Sequence, residues 1–165
     1  MNLIGNVIMN LIANISLNNC IGNSDKLVNY DRADMQRFKA LTTGGVVIMG
    51  ANTFRGDLRS RKLPNRVNII ITRDKGLTTN EQETFFIGDI NTAISVARSY
   101  DKPIWIIGGS SIYSVFLPHV TKLFITHTYN VVNGDRYLNL DWSNWTLINQ
   151  VKLDNITFAD YDLRN

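Results

Sequence analysis

Cysteine is almost absent: Cys20 is the only one in 165 residues. That excludes an internal disulfide framework and any multi-cysteine metal site. No Lys, Arg or His stands near Cys20 to activate its thiol, so it reads as a small buried side chain. Histidine is scarce too. His119 and His127 have neither paired cysteines nor an H-x-x-E partner, so they form no metal-ligand set. His119, behind Pro118 at a helix end, is expected at the surface, and His127, in an alternating strand, is expected to face outward. With three prolines, no low-complexity stretch and no internal repeat, the chain reads as one domain over residues 1–165. Long apolar runs are also missing, since none approaches the ~18 residues of a membrane span. The first fifteen residues lack the basic start and small-residue cleavage pattern of a secretion signal. These absences predict a soluble, cytoplasmic protein with no membrane contact. The net charge is only +3, too weak for a nucleic-acid surface but compatible with a small anionic ligand. The basic run Arg55, Arg59, Arg61 and Lys62 has no interleaved aromatics and reads as a solvated loop.

What the sequence does contain is a core-building pattern. Hydrophobic residues make up 44% of it, gathered in short β-branched runs at 7–15, 46–49, 67–72, 84–87, 104–107, 122–129, 145–151 and 156–161. Several of these, notably VVIM, NIIIT and IWII, are apolar on both faces. Such strands belong in the middle of a sheet covered on both sides, hence a mainly parallel one. Helical spacing falls between them. Met35, Phe38 and Leu41 mark a helix over 33–42. Ile90, Ile94 and Ala97 mark another over 89–99, capped by Asp89 or Asn91. A third runs over 110–117 and stops at Pro118. The alternation of strand and helix predicts an α/β fold, and the last two strands, with no helix between them, predict a closing hairpin.

Four places could carry chemistry. At Gly108-Gly109-Ser110-Ser111 a buried strand ends, two glycines follow and two hydroxyls open a helix. Glycine permits close backbone approach, and free N–H groups at a helix start attract phosphate, although a serine-capped turn has the same pattern. Gly50-Ala51-Asn52-Thr53 repeats the arrangement after a second strand, running into a short helix. Ligands of open α/β sheets bind at the carboxyl ends of strands, so two such junctions reinforce each other. A third strand ends in Thr72-Arg73, a hydroxyl and a guanidinium suited to a further phosphate or simply to solvent. The last place is Asp34, in the first turn of the 33–42 helix. Asp31 as N-cap and Asp34 three residues on satisfy the helix start by themselves. Asp34 also has Met35 and Phe38 beside it, and Leu11–Asn14 could supply a facing apolar wall, where a carboxylate could handle protons.

Taken in order, these segments resemble dihydrofolate reductase. Cys20-Ile21-Gly22, then Leu27, Asp34, Phe38 and Thr42, has the spacing of that family's N-terminal signature. Val47-Ile48-Met49-Gly50 with Asn52-Thr53 resembles its first cofactor junction, and Leu63-Pro64-Asn65-Arg66 before Asn68-Ile69-Ile70 its next strand. Ile107-Gly108-Gly109 through Tyr113, then Phe116-Leu117-Pro118, resembles its cofactor-binding strand and helix. Leu123-Phe124-Ile125-Thr126 and Gly134-Asp135 complete the series, from about Leu11 to Asp135.

The resemblance implies a mostly parallel eight-stranded sheet with about four flanking helices and an antiparallel C-terminal hairpin. It implies NADPH-dependent reduction of 7,8-dihydrofolate to tetrahydrofolate, by a monomer that also binds antifolate inhibitors, with no nucleic acid and no metal. Asp34 would be the catalytic group and the only ionisable one in the pterin pocket, held by Thr126. Ile12, Ala13, Leu27, Met35, Phe38, Ile107 and Tyr113 would surround the substrate, with Leu58 as a further contact. Arg66 would pair with its glutamate α-carboxylate. Ala13, Asn14, Ile21 and Gly22 would flank the nicotinamide. Gly50, Asn52, Thr53 and Gly108, Gly109, Ser110, Ser111, Ile112 would cradle the pyrophosphate, and Thr72 and Arg73 would meet the 2′-phosphate. The resemblance further implies a cis Gly108–Gly109 peptide and a mobile lid after Gly22.

The sequence departs from the pattern at Val28-Asn29, where the family has Pro-Trp, and at Ala51, where a basic residue is common. The segment from Arg55 to Lys62 is about two residues longer than the motif spacing allows. Roughly the first seven residues form an N-terminal extension without an assigned role on the same spacing. Two other readings stay open on the same fold: a pyrimidine reductase of the riboflavin type, which the Gly22 and Asp34 pattern disfavours, and a non-catalytic binding descendant.

Overall fold

The structure, a computed structural model, describes residues 7–23, 26–27 and 31–165. Its strands and helices run β1 (Met9–Ile15), β2 (Cys20–Asn23), β3 (Lys26–Leu27), α1 (Arg32–Thr42), β4 (Val46–Gly50), α2 (Ala51–Arg55), β5 (Val67–Ile71), β6 (Thr84–Ile87), α3 (Ile90–Ser99), β7 (Ile104–Gly108), α4 (Ser110–Phe116), β8 (Lys122–Thr128), β9 (Arg136–Tyr137), β10 (Trp145–Lys152) and β11 (Ile156–Leu163). Eight of the strands form one sheet in the order β10-β11-β8-β1-β7-β4-β5-β6. The six from β8 to β6 are mutually parallel, and β11 runs antiparallel to both β8 and β10. The strands that are apolar on both faces, β4, β5 and β7, sit inside this sheet because only there are both faces covered.

Alternation along each strand splits the core in two. Leu11, Ile48, Ile69, Ile106 and Leu123 pack on one face against Ala93, Ile94 and Ala97 of α3 and Ile112, Tyr113 and Phe116 of α4. Ile12, Val47, Met49, Ile70 and Trp105 pack on the other against Phe54 of α2, with Phe38 and Leu41 of α1 beside them. Helix α1 is poor in apolar side chains, and Thr42 is its one fully buried residue. Polar contacts help seat it. Arg37 reaches Asp160 of β11 at 2.5 Å, with its guanidinium 4.6 Å from the centre of the Phe158 ring. At its start, the Asp31 side chain accepts the backbone N–H of Asp34 at 3.0 Å, as its position in the sequence predicts.

A second, three-stranded sheet, β3-β2-β9, lies beyond the sequence reading. Its strands are two to four residues long, too short to show any hydrophobic period. Gly134 makes it possible: a Cβ at that position would lie 2.3 Å from the Gly22 carbonyl oxygen. His127 is a correction. Instead of facing solvent it is half-buried, with Nε2 2.8 Å from the Tyr161 hydroxyl and its ring 5.8 Å from that of Trp142. Strand alternation does turn it away from the Thr126 face, but β11 and the segment before β10 cover that side. His119 is exposed and Cys20 is buried, as expected.

Ile106 is wholly buried in the larger core. Ile106→Ala should cost about 2–5 kcal/mol in urea unfolding, whereas Ile148→Ala, on the exposed β10, should stay within about 0.5 kcal/mol. Burial holds the His127 pKa below its ordinary 6.5. The unfolded chain therefore takes up this proton first as pH falls. Its contribution to stability is complete above pH 6.5 and declines below it, so the unfolding midpoint should fall less on acidification in His127→Gln.

Candidate active site

The site begins with the register between β1 and β8. Asn14 pairs with Thr126, and the pleat puts Thr128, two residues on, on the same face. The N-terminal turn of α1 lies over that face and brings Asp34 to it. The Thr126 hydroxyl donates to Asp34 Oδ1 at 2.5 Å. The Asn14 amide donates to Asp34 Oδ2 at 3.1 Å, and the Thr128 hydroxyl donates to Asn14 Oδ1 at 2.6 Å. Of the apolar wall expected from Leu11–Asn14, Ile12 lies on the α1 side with Phe38, while the Asp34 oxygens meet the Asn14 amide and the Thr126 hydroxyl. Leu11 and Ala13 point to the opposite face, and the residue presented is an amide.

Beside Asn14 the strand ends open into a cleft. Strand β7 carries one extra residue, Ile107, in its pairing with β4, where Ile48 faces Ile106 but Met49 faces Gly108. Such a bulge re-aims its side chain, and Ile107 lines the cleft. Gly108 has φ +117°, and a Cβ there would lie 3.2 Å from the Tyr113 ring. The Gly108–Gly109 peptide is cis, as the resemblance implied. Tyr113 donates its hydroxyl to the Ile12 carbonyl at 2.7 Å. Burial, followed by the charges of Asp34 and Asp57, pushes its pKa well up, so it stays protonated.

Helices α2 and α4 leave β4 and β7 in opposite directions, towards β5 and across β1 to β8. A crevice at such a divergence is the usual ligand site of an α/β sheet. Gly50 and Gly109 stand at the two helix starts, and neither helix has a side-chain cap, so the expected serine capping does not occur. The first-turn N–H groups therefore lack a side-chain acceptor. The cleft measures about 240 Å³ and is lined by Asn14, Ile21, Gly22, Gly50, Ala51, Asn52, Thr53, Asp57, Ile71, Arg136 and every residue from Ile107 to Tyr113.

Arg66 stands at the other end of α1, 7% exposed. Its Nε donates to Thr42 Oγ1 at 2.9 Å, Nη1 to the Pro64 carbonyl at 3.0 Å and Nη2 to Thr43 Oγ1 at 3.3 Å. Burial lowers its pKa, but a guanidinium remains charged. Ile12, Phe38 and Leu58 join the core on the α1 side, Ala13 joins the other, and Met35 is 39% exposed. Thr72 and Arg73 do not line the cleft. The Thr72 hydroxyl accepts the Asp74 N–H, and Arg73 is exposed. The Leu27 side chain, Val28, Asn29, most of the lid segment and the first six residues of the N-terminal extension lie outside the described residues.

Two cleft residues escape a reading of the sequence. Asp57 falls in the lengthened segment, where motif spacing loses count. Arg136 is carried in by the pairing of β9 with β2 at Gly22. Both stand in the cleft that Asn14 lines, and Asp34 is not among the residues lining it.

A family model described as dihydrofolate reductase matches residues 8–164. The chain belongs to the dihydrofolate reductase family. Among curated proteins it is 31% identical to the dihydrofolate reductase of Haemophilus influenzae, over 93% of each chain. It is 29% identical to that of Lactococcus lactis, over 88% of this chain and 83% of the other. Among solved structures, a dihydrofolate reductase from Enterococcus faecalis, complexed with NADP(H) and an inhibitor named RAB-propyl, shares the fold. It has a TM-score of 0.85 at 23% identity and covers 96% of this chain and 97% of the other. Membership in the dihydrofolate reductase family thus extends the resemblance beyond Asp135, through the C-terminal hairpin.

Thr126 is 1% exposed, so losing its hydroxyl leaves a carboxylate oxygen short of a donor. Thr126→Val should lower unfolding free energy at neutral pH by about 1–3 kcal/mol, read by urea titration, and Asp34→Asn should lessen that difference.

Proposed function

We propose that this chain reduces 7,8-dihydrofolate to 5,6,7,8-tetrahydrofolate with NADPH. The observation that carries this reading is a carboxylate held on both oxygens, one of them by Asn14, which also lines a cleft between two glycine junctions. The cleft suits an anionic dinucleotide. Gly108 keeps its backbone clear of any Cβ, and the uncapped starts of α2 and α4 offer N–H donors. Gly50, Asn52, Thr53 and Gly109 to Ile112 would hold the pyrophosphate, and Asn14, Ile21 and Gly22 would border the nicotinamide. Thr72 and Arg73, beyond the cleft, would meet the 2′-phosphate.

Bound NADPH supplies the hydride that the pterin C6 accepts; the protein supplies orientation, dryness and control of one proton. Asp34 accepts from the pterin amino group and N3 and promotes protonation of N5. Thr126 keeps the carboxylate plane fixed. Ile12, Met35, Phe38 and Ile107 shield the ring from water. Arg66, already clamped by Thr42, Thr43 and Pro64, pairs with the glutamate α-carboxylate. Tyr113 stays a neutral donor to the Ile12 carbonyl and stiffens the floor beneath the ring. The protein acts on small molecules, antifolates included, as a cytoplasmic monomer. No described helix is long and apolar enough to cross a membrane.

The test is loss of nicotinamide absorbance with purified protein, dihydrofolate and either NADPH or NADH. Oxidation should require dihydrofolate, and Asp34→Asn should slow it by about 10²-fold or more at neutral pH; an unchanged rate removes the role given to Asp34. Arg73→Gln should raise KM for NADPH and leave KM for NADH unmoved.

A further inference from the structure

We propose that Asn14 is a positioning residue for the Asp34 carboxylate, setting the direction of its second oxygen; this rests on the dihydrofolate reductase reading of the cleft. Strand β1 is buried along its length except at Asn14, which is half-buried. A polar side chain at that point needs partners, and it has one at each end of its amide. A carboxylate only accepts, so the Asn14 nitrogen must be the end facing Asp34 Oδ2, at 3.1 Å. Its oxygen then faces Thr128, whose hydroxyl donates at 2.6 Å. The donors run from Thr128 to Asn14 to Asp34, and Thr126 closes on the other oxygen at 2.5 Å. One donor on one oxygen leaves a carboxylate free to swing about its Cβ–Cγ bond. A donor on each oxygen fixes its plane.

The consequence is for the geometry in which the proposed substrate is met. Each carboxylate oxygen has two lone-pair directions, and Thr126 and Asn14 occupy one apiece. The remaining pair makes a two-pronged acceptor, matched to a ring that presents two adjacent N–H donors, as a 2-aminopyrimidine edge does. Asn14 also lines the cleft, so one amide joins the cleft floor to the substrate-binding carboxylate.

The test compares wild type, Asn14→Ala, Asn14→Asp and Thr128→Val by steady-state kinetics with dihydrofolate and by titration with a 2,4-diaminopyrimidine. Asn14→Ala should raise KM and weaken diaminopyrimidine binding by roughly tenfold each, with kcat changed much less. A merely structural role lowers the unfolding midpoint and the active fraction but moves neither KM nor Kd, and that result overturns the proposal. Asn14→Asp keeps size and the Thr128 contact but sets two carboxylates face to face. Among the described residues, the titratable and charged groups that contact it or share its cleft are Asp34 from α1, Tyr113 from α4, Asp57 after α2 and Arg136 from β9. Two carboxylates face to face repel when both are ionised and can share a proton when one is not, so the defect should lessen as pH falls. A profile parallel to wild type overturns the proposal. Thr128→Val, which leaves Asn14 in place, should shift KM in the same direction, and its effect should not add to that of Asn14→Ala. If Asn14→Ala does not fold, Asn14→Asp and Thr128→Val decide. An active wild type with an indifferent Asn14→Ala overturns this inference alone. A wild type that neither turns over dihydrofolate nor binds the diaminopyrimidine overturns the functional reading and this inference with it.

Discussion

The parallel pairing of β1 with β8 is the constraint from which the site follows. In that register Asn14 lies opposite Thr126, with Thr128 one pleat further on. A slip of one residue in either strand would turn that strand's polar groups to the face packed by α3 and α4. The register is held because Leu11, Ala13, Ile15, Leu123 and Ile125 are all needed in the core on that other face. The apolar side of each strand thus positions the polar side. The carboxylate from α1 meets two donors because of what the strands bury behind them.

Helix α1 completes the arrangement with little hydrophobic weight of its own. Arg37 and Asp160 tie its middle to β11, and Thr42 ties its end to Arg66. Asp34 stands at its first turn, where the free N–H groups and the dipole favour an acid. The helix therefore works as a spacer that presents Asp34 at one end and supports Arg66 at the other. In the proposed reading the two charged groups meet opposite ends of one elongated substrate. The cleft beside them depends on a different device, a bulge in β7 that turns Ile107 outward and two glycines that keep backbone exposed.

Much of this was legible in the residues. The runs VVIM, NIIIT and IWII are apolar on both faces and were bound to be central parallel strands. Asp31 and Asp34 announced a helix start, and two strand-glycine-helix junctions announced a crevice. The family resemblance rested on the order of these pieces. The three-stranded sheet was not legible, since strands of two to four residues carry no period and Gly134 reads as any loop glycine. His127 alternates as an outward residue would, but burial on that side is decided by Trp142 and Tyr161, which the local pattern does not contain.

The sequence by itself determined the class of fold, the central strands, the capped start of α1 and the candidate acid, because each depends on neighbours within a few positions. The family resemblance named Thr126 as one partner of that acid, and only the tertiary structure showed Asn14 as the other. Asp34 is twenty residues from Asn14 and ninety-two from Thr126, and a hydrogen bond between them exists only once strand register and helix placement are both fixed. The same holds for Asp57 and Arg136, which enter the cleft through a loop path and a two-residue strand pairing that no local periodicity encodes.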